Sequence, residues 1–184
     1  EPDPSALDLI FEYPNLIILK SLSKNYGIPG LRLGYAVSGD QERAAALRKD
    51  LPIWNINSLA QFFLSKMPDY QEQFDRSCEI LKSATQQLYK GLVGVPYLHP
   101  YPTQGNFVLC RIIYGFNASE LTAHLFNQHR ILVNNCGGKE GLEDSFIRIA
   151  CRTEDENSEL LEALNKLEEF CHKGDLPVNV GGTL

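Results

Sequence analysis

From Lys20 to Tyr35 the chain reads Lys20-Ser21-Leu22-Ser23-Lys24-Asn25-Tyr26-Gly27-Ile28-Pro29-Gly30-Leu31-Arg32-Leu33-Gly34-Tyr35. Lys24 follows two hydroxyl residues, Ser21 and Ser23, and Arg32 comes eight positions later, past Gly27, Pro29 and Gly30. A neutral primary amine attacks carbonyls, while a planar guanidinium and two hydroxyls are donors suited to phosphate. The combination fits a carbonyl cofactor that carries a phosphate. Lys24 would form the Schiff base; Ser21, Ser23 and Arg32 would hold the phosphate. By pattern alone, a lysine ahead of a Gly/Pro-rich turn is usually just solvated, and Arg32 reads as an ordinary surface cation.

Those side chains need elements to present them. Leu16 to Leu19 is a nearly continuous apolar run, as in a strand of a parallel sheet covered on both faces. Extended one step further, its alternation puts Ser21 and Ser23 on the same face. Arg32 to Ser38 predicts a second strand. Ser5 to Glu12 reads as a short helix capped by Ser5, residues 40–50 as a helix capped by Asp40, and Leu59 to Lys66 as a helix capped by Ser58. From Asp69 to about Leu92, Phe74, Cys78, Leu81, Ala84, Leu88 and Leu92 recur at threes and fours, which predicts a long amphipathic helix ended by Gly91, Gly94 and Pro96. Beyond it the texture is α+β. Strands are expected at Phe107–Ile113, Ile131–Asn134 and Ser145–Ala150, and helices at Ala118–Gln128 and Glu154–Cys171. Ser119 and Thr153 are candidate caps, and Thr153 with Glu156 forms a capping box. In Phe146-Ile147-Arg148-Ile149-Ala150, alternation turns Arg148 away from the two isoleucines, which alone says only that it lies on the wet face.

Composition bounds the function classes. The 184 residues are 43% hydrophobic and 22% charged, an ordinary globular profile able to bury a sizeable core. With 17 basic and 23 acidic residues the net charge is −6, so no basic field is available for nucleic acid or an anionic membrane. No apolar run approaches the roughly 20 residues of a membrane span, and no signal-peptide pattern is seen. The five cysteines (Cys78, Cys110, Cys136, Cys151, Cys171) include no C-x-x-C pair, which points to a reduced, cytoplasmic setting. His124 and His129, five apart, are expected on different sides of a helix, and no metal site is expected.

The run Ser21-Leu22-Ser23-Lys24-x-x-Gly27-x-x-Gly30-x-Arg32-x-Gly34-Tyr35 resembles the lysine signature of pyridoxal-phosphate aminotransferases of the aspartate-aminotransferase fold. Within them it is most similar to the histidinol-phosphate aminotransferase and threonine-phosphate decarboxylase branch. Gly105-Asn106-Phe107, Ile131-Leu132-Val133-x-x-Cys136 and Phe146-Ile147-Arg148-Ile149-Ala150 extend the match, as does Pro52 to Gln61; Arg152-Thr153-Glu154 looks more like the decarboxylases. The resemblance implies an α/β fold: the C-terminal part of a large cofactor-binding domain (a mostly parallel sheet with helices) over residues 1–75, then a small α+β domain over 76–173. A long helix near 69–92 links them, and 174–184 form a flexible tail.

Several expectations follow from the resemblance. The cofactor would be pyridoxal 5'-phosphate, with Lys24 catalytic, Ser21, Ser23, Lys24 and Arg32 binding the cofactor, and Arg148 binding the substrate's carboxylate or phosphate. The reaction would be aminotransfer on an amino acid or amino-acid phosphate, with amino-acid decarboxylation as the alternative. No Asp-x-x-Tyr element or glycine-rich phosphate loop stands ahead of Lys24, so the chain is expected to be a C-terminal fragment, inactive alone, of a homodimeric enzyme. A rival of another class is a non-catalytic module in which Lys24 and Arg32 only hold a phosphorylated ligand.

Overall fold

The computed structural model describes residues 5–168. The expected tail, 174–184, lies outside the described residues, as does the end of the helix expected to reach Cys171. The chain divides into two compact units, Glu1–Asp75 and Arg76–Leu184.

The first unit opens with a 3-10 turn, Ala6–Phe11, whose Leu7 N–H is accepted by the Ser5 hydroxyl. Two strands follow, β1 (Ile17–Ser21) and β2 (Gly34–Ser38), paired antiparallel with Ile17 opposite Ser38 and Ser21 opposite Gly34. This corrects the reading of the apolar run as a parallel strand covered on both faces: most of β1 is exposed, Leu19 at 78%. The physical reason is the connection. Residues 22–33 hold only the one-turn helix α1 (Leu22–Asn25) and a 3-10 turn at Pro29–Leu31, too little for the crossover that a parallel return requires. Helices α2 (Gln41–Asp50) and α3 (Ser58–Lys66) complete the unit. Asp40 caps α2 as expected, but Asn57 rather than Ser58 caps α3, its side-chain oxygen accepting from the Ala60 N–H at 2.9 Å. A small core of Leu22, Leu33 and Ala60 lies under the β1–β2 connection, with Leu31, Ile56 and Phe63 packed around it.

The long helix α4 (Gln71–Val93) runs across the division between the units, preceded by a 3-10 turn at Met67–Tyr70 where Pro68 sits. The second unit is a four-stranded antiparallel sheet, β3 (Leu98–Pro100), β4 (Phe107–Ile112), β5 (Asn134–Asn135) and β6 (Phe146–Ala150), in the order β3-β4-β6-β5. Helices α5 (Ala118–His129) and α6 (Glu154–Lys166) join the end of α4 on one face. Leu88, Leu92, Leu121, Leu125, Ile147, Ile149 and Leu164 form the centre of the core there, each at most 1% exposed. The Tyr97 hydroxyl, inside this core, donates to the Leu164 carbonyl at 2.8 Å, so its polar tip is satisfied. Asn117 with Glu120, not Ser119, closes the capping box of α5; Ser119 instead donates to Asp144. The strand expected from Ile131 is shifted to Asn134–Asn135 because Ile131 still belongs to the helix end. Its N–H bonds the Leu125 carbonyl while Arg130 takes the left-handed conformation that terminates α5. No helix among the described residues is long and apolar enough to cross a membrane.

Candidate active site

Ser21 ends β1 and starts α1. Its Oγ accepts the Ser23 N–H at 3.4 Å, so it works as an N-cap. Ser21 and Ser23 therefore do not alternate along a strand, as period two suggested: Ser21 is exposed at the strand end and Ser23 sits inside α1 at 6% exposure. The Ser21 hydroxyl hydrogen remains available to donate outward. Lys24 occupies the last turn of α1 and is exposed.

After Lys24 the chain turns sharply. Gly27 takes φ +65°, Ile28 donates its N–H to the Ser23 carbonyl, and the 3-10 turn at Pro29–Leu31 delivers Arg32. Arg32 itself has φ 53° and ψ 45°, left-handed, a conformation that disfavours any residue with a Cβ. Its guanidinium donates to the Pro29 carbonyl at 3.3 Å. The loop is then closed by the Leu22 N–H donating to the Leu33 carbonyl at 3.0 Å. Beneath it, Tyr26 stacks on Phe74 with ring centroids 4.2 Å apart. Gly34 comes next, opposite Ser21. A Cβ there would stand 2.8 Å from the Lys20 carbonyl oxygen, so the approach of the strands at this point requires glycine.

These elements enclose an open concavity of about 390 Å³ lined by Lys20, Ser21, Ser23, Arg32, Gly34 and Tyr35 among others. Three of the expected cofactor ligands, Ser21, Ser23 and Arg32, thus share one surface; Lys24 lies beside it in α1 but not among its lining residues. Lys20 is an addition. It sits opposite Tyr35 in the β1–β2 register, and the signal for it was available, being two strand positions before Leu22 in a run already singled out. The lining offers an ammonium, a guanidinium and hydroxyls, and no carboxylate. That donor set suits a phosphate dianion, and so fits the phosphate end of the expected cofactor.

Arg148 lies in the second unit, on β6 between the buried Ile147 and Ile149, on the sheet face away from the core. Its guanidinium carbon is 5.2 Å from the centroid of Phe107. Leu109 on β4 and Asn134 on β5 stand opposite it. Arg111, on the same face, lies 5.8 Å over Phe146. Arg152 is otherwise engaged. It donates to the Glu156 carboxylate at 3.0 Å, beside a hollow of about 500 Å³ lined by Ile80, Leu81 and Ala84. Hydrogen bonds from Thr153, and then from Arg152, hold the Glu156 carboxyl below its ordinary 4.5. Burial pushes the Cys110 thiol up to about 12, which marks it as inert packing. The His124 and His129 rings, expected on different sides of α5, have centroids 5.8 Å apart. They gather no third ligand: no group of three or more metal-binding side chains is found among the described residues.

Comparison with known proteins gives the family. The family model for aminotransferase class I and II matches residues 1–164. CMP-5'-(3-aminopropyl)phosphonate synthase of Streptomyces rubellomurinus is 38% identical over 167 residues, covering 90% of this chain and 27% of that protein. L-serine phosphate decarboxylase of Campylobacter jejuni is 32% identical over 158 residues, covering 85% and 40%. The crystal structure of histidinol-phosphate aminotransferase from Clostridium acetobutylicum superposes with a TM-score of 0.81 at 27% identity, over 92% of this chain and 50% of that one. The chain therefore spans half or less of the length of each of these proteins, within a family that depends on pyridoxal phosphate. With the family model matched along nearly its whole length and the fold shared, this chain belongs to the class I and II aminotransferases.

Proposed function

We propose that this chain carries the lysine and the phosphate grip of a pyridoxal-phosphate enzyme that transfers the amino group of an amino acid or amino-acid phosphate. The observation that carries the reading is the concavity in which Ser21, Ser23 and Arg32 converge beside Lys24. Arg32 and the two hydroxyls would hold the cofactor's phosphate, and the Lys24 amine its aldehyde carbon. When bound, pyridoxal phosphate draws electrons from the α-carbon of an attached amino acid, so that a bond to that carbon can break. The rest falls to the protein. Lys24 Nζ, when free, would be the base that takes up the substrate's α-proton and returns it. Arg148 would orient the substrate by its carboxylate or phosphate, and that orientation would select which α-bond is broken.

A second reading, amino-acid phosphate decarboxylation, has its own support: the serine phosphate decarboxylase is 32% identical, against 27% for the histidinol-phosphate aminotransferase. Product analysis separates them, since a keto acid marks aminotransfer and carbon dioxide marks decarboxylation. We further propose that this chain is inactive by itself and that the active enzyme is a homodimer. The lysine assignment is tested in the full-length protein by borohydride reduction with pyridoxal phosphate and peptide mapping. Label on Lys24 is expected. Lys20 is the control: Lys20→Ala should still be labelled, and a Lys24→Ala protein that is labelled as fully as the wild type would refute the assignment.

A further inference from the structure

Arg32 can grip a phosphate only if its left-handed backbone is held in place, and the bonds that Ser23 and Leu33 of the concavity make close the turn without reaching the Leu31–Arg32 peptide itself. A further restraint on that peptide comes from a different loop. Asn57 uses both ends of its side-chain amide. Its Oδ1 accepts the Ala60 N–H at 2.9 Å and caps α3, while its Nδ2 donates at 3.1 Å to the carbonyl of Leu31, the residue directly before Arg32. The Leu31–Arg32 peptide, whose conformation is unfavourable for a non-glycine residue, is thereby pinned to the start of a nine-residue helix. That helix is itself seated: Ala60, 1% exposed, packs with Leu22 and Leu33 on either side of the phosphate-binding turn. Serine at this position could cap the helix but is too short to reach Leu31 as well; aspartate could cap but has no hydrogen to donate.

We infer that Asn57 is a positioning residue for the phosphate grip: its amide couples the N-terminus of α3 to the Arg32 turn and holds the guanidinium ready before any cofactor binds. The inference rests on the proposed role of Arg32. Asn57 touches neither cofactor nor substrate in this account, and acts only through the Leu31 carbonyl.

The test uses the full-length protein carrying Asn57→Ser, Asn57→Asp or Arg32→Ala. Both Asn57 variants keep the cap of α3, so thermal stability should stay near wild type. Hydrogen exchange in the absence of cofactor should accelerate in residues 28–34 and nowhere else in the first unit. Affinity for pyridoxal phosphate should fall by about two- to tenfold, the worth of one neutral hydrogen bond. Affinity for pyridoxal, which lacks the phosphate, should not change, and a general loosening of the fold would not make that distinction. Unchanged exchange over residues 28–34 in both variants overturns the inference. So does accelerated exchange with unchanged pyridoxal-phosphate affinity when Arg32→Ala binds weakly. If Arg32→Ala binds as tightly as wild type, the phosphate-grip reading fails first and the inference falls with it; the exchange data then record a structural tether only.

Discussion

Replacing Arg32 by glycine should raise stability and weaken cofactor binding at once. At φ 53° an L-residue bears roughly 1–2 kcal/mol of steric cost that glycine does not. Glycine brings back about 0.5–1 kcal/mol through the greater freedom of its unfolded chain, so Arg32→Gly should be more stable by up to ~1 kcal/mol. The hydrogen bond lost, from the guanidinium to the Pro29 carbonyl, is 3.3 Å long and exposed, too weak to reverse the sign. Arg32→Ala loses the same bond but keeps the steric cost, so it should match wild type. Phosphate affinity behaves differently. Both variants remove a charge-assisted contact worth about 1.5–3 kcal/mol, a weakening of roughly tenfold to a hundredfold. Equilibrium urea unfolding of the cofactor-free full-length protein reads the first effect, and absorbance titration with pyridoxal phosphate reads the second. Glycine no more stable than alanine would show that the left-handed backbone at Arg32 stores no strain. Wild-type affinity in both variants would show that Arg32 does not meet the phosphate.

Three further outcomes are expected. Gly34→Ala must move a Cβ away from the Lys20 carbonyl oxygen, 2.8 Å off, and should destabilise by about 1–3 kcal/mol; wild-type unfolding would contradict the Ser21–Gly34 register. Because Thr153 and Arg152 depress the Glu156 carboxyl, its contribution is present above the ordinary 4.5 and is lost as pH falls through the lower folded value. Acid unfolding of wild type should therefore show a loss below about pH 4.5 that Glu156→Gln lacks, and parallel curves would remove the capping box as its cause. Arg148→Met keeps the aliphatic stem on the exposed sheet face, so it should leave folding and cofactor affinity intact while raising KM for an anionic amino acid about tenfold or more; an unchanged KM would end the substrate role.

The second unit was largely legible because it closes its own core. Alternation along β6 forecast buried Ile147 and Ile149 with Arg148 outward, and the Thr153–Glu156 spacing forecast a capping box that formed as written. What escaped there was local competition. β3 was overlooked because Pro100 interrupts so short a run, and the helix end at Arg130 claimed Ile131 before a strand could. Both misplaced caps share one cause: Asn57 and Asn117 lie three residues before the amide each must satisfy, whereas Ser58 and Ser119 start too late.

In the first unit the residue types were legible and their mutual placement was not. Two serines two apart on an apolar run suggest one strand face, yet the hydroxyl of Ser21 captured the Ser23 amide and turned the strand into a helix. That switch is what makes the site. A continuing strand would have carried Lys24 along β1 and left Arg32 to return from a wide loop; the cap instead folds residues 22–33 into a tight turn whose two ends, Ser21 and Gly34, meet across the ladder. Chemistry can be read from a list of side chains, but the placement of Ser21, Ser23 and Arg32 around one concavity depends on one hydroxyl taking one backbone N–H where the ladder ends. The turn is set locally, by Ser21, and tied from a distance to the start of α3 by the Asn57 amide.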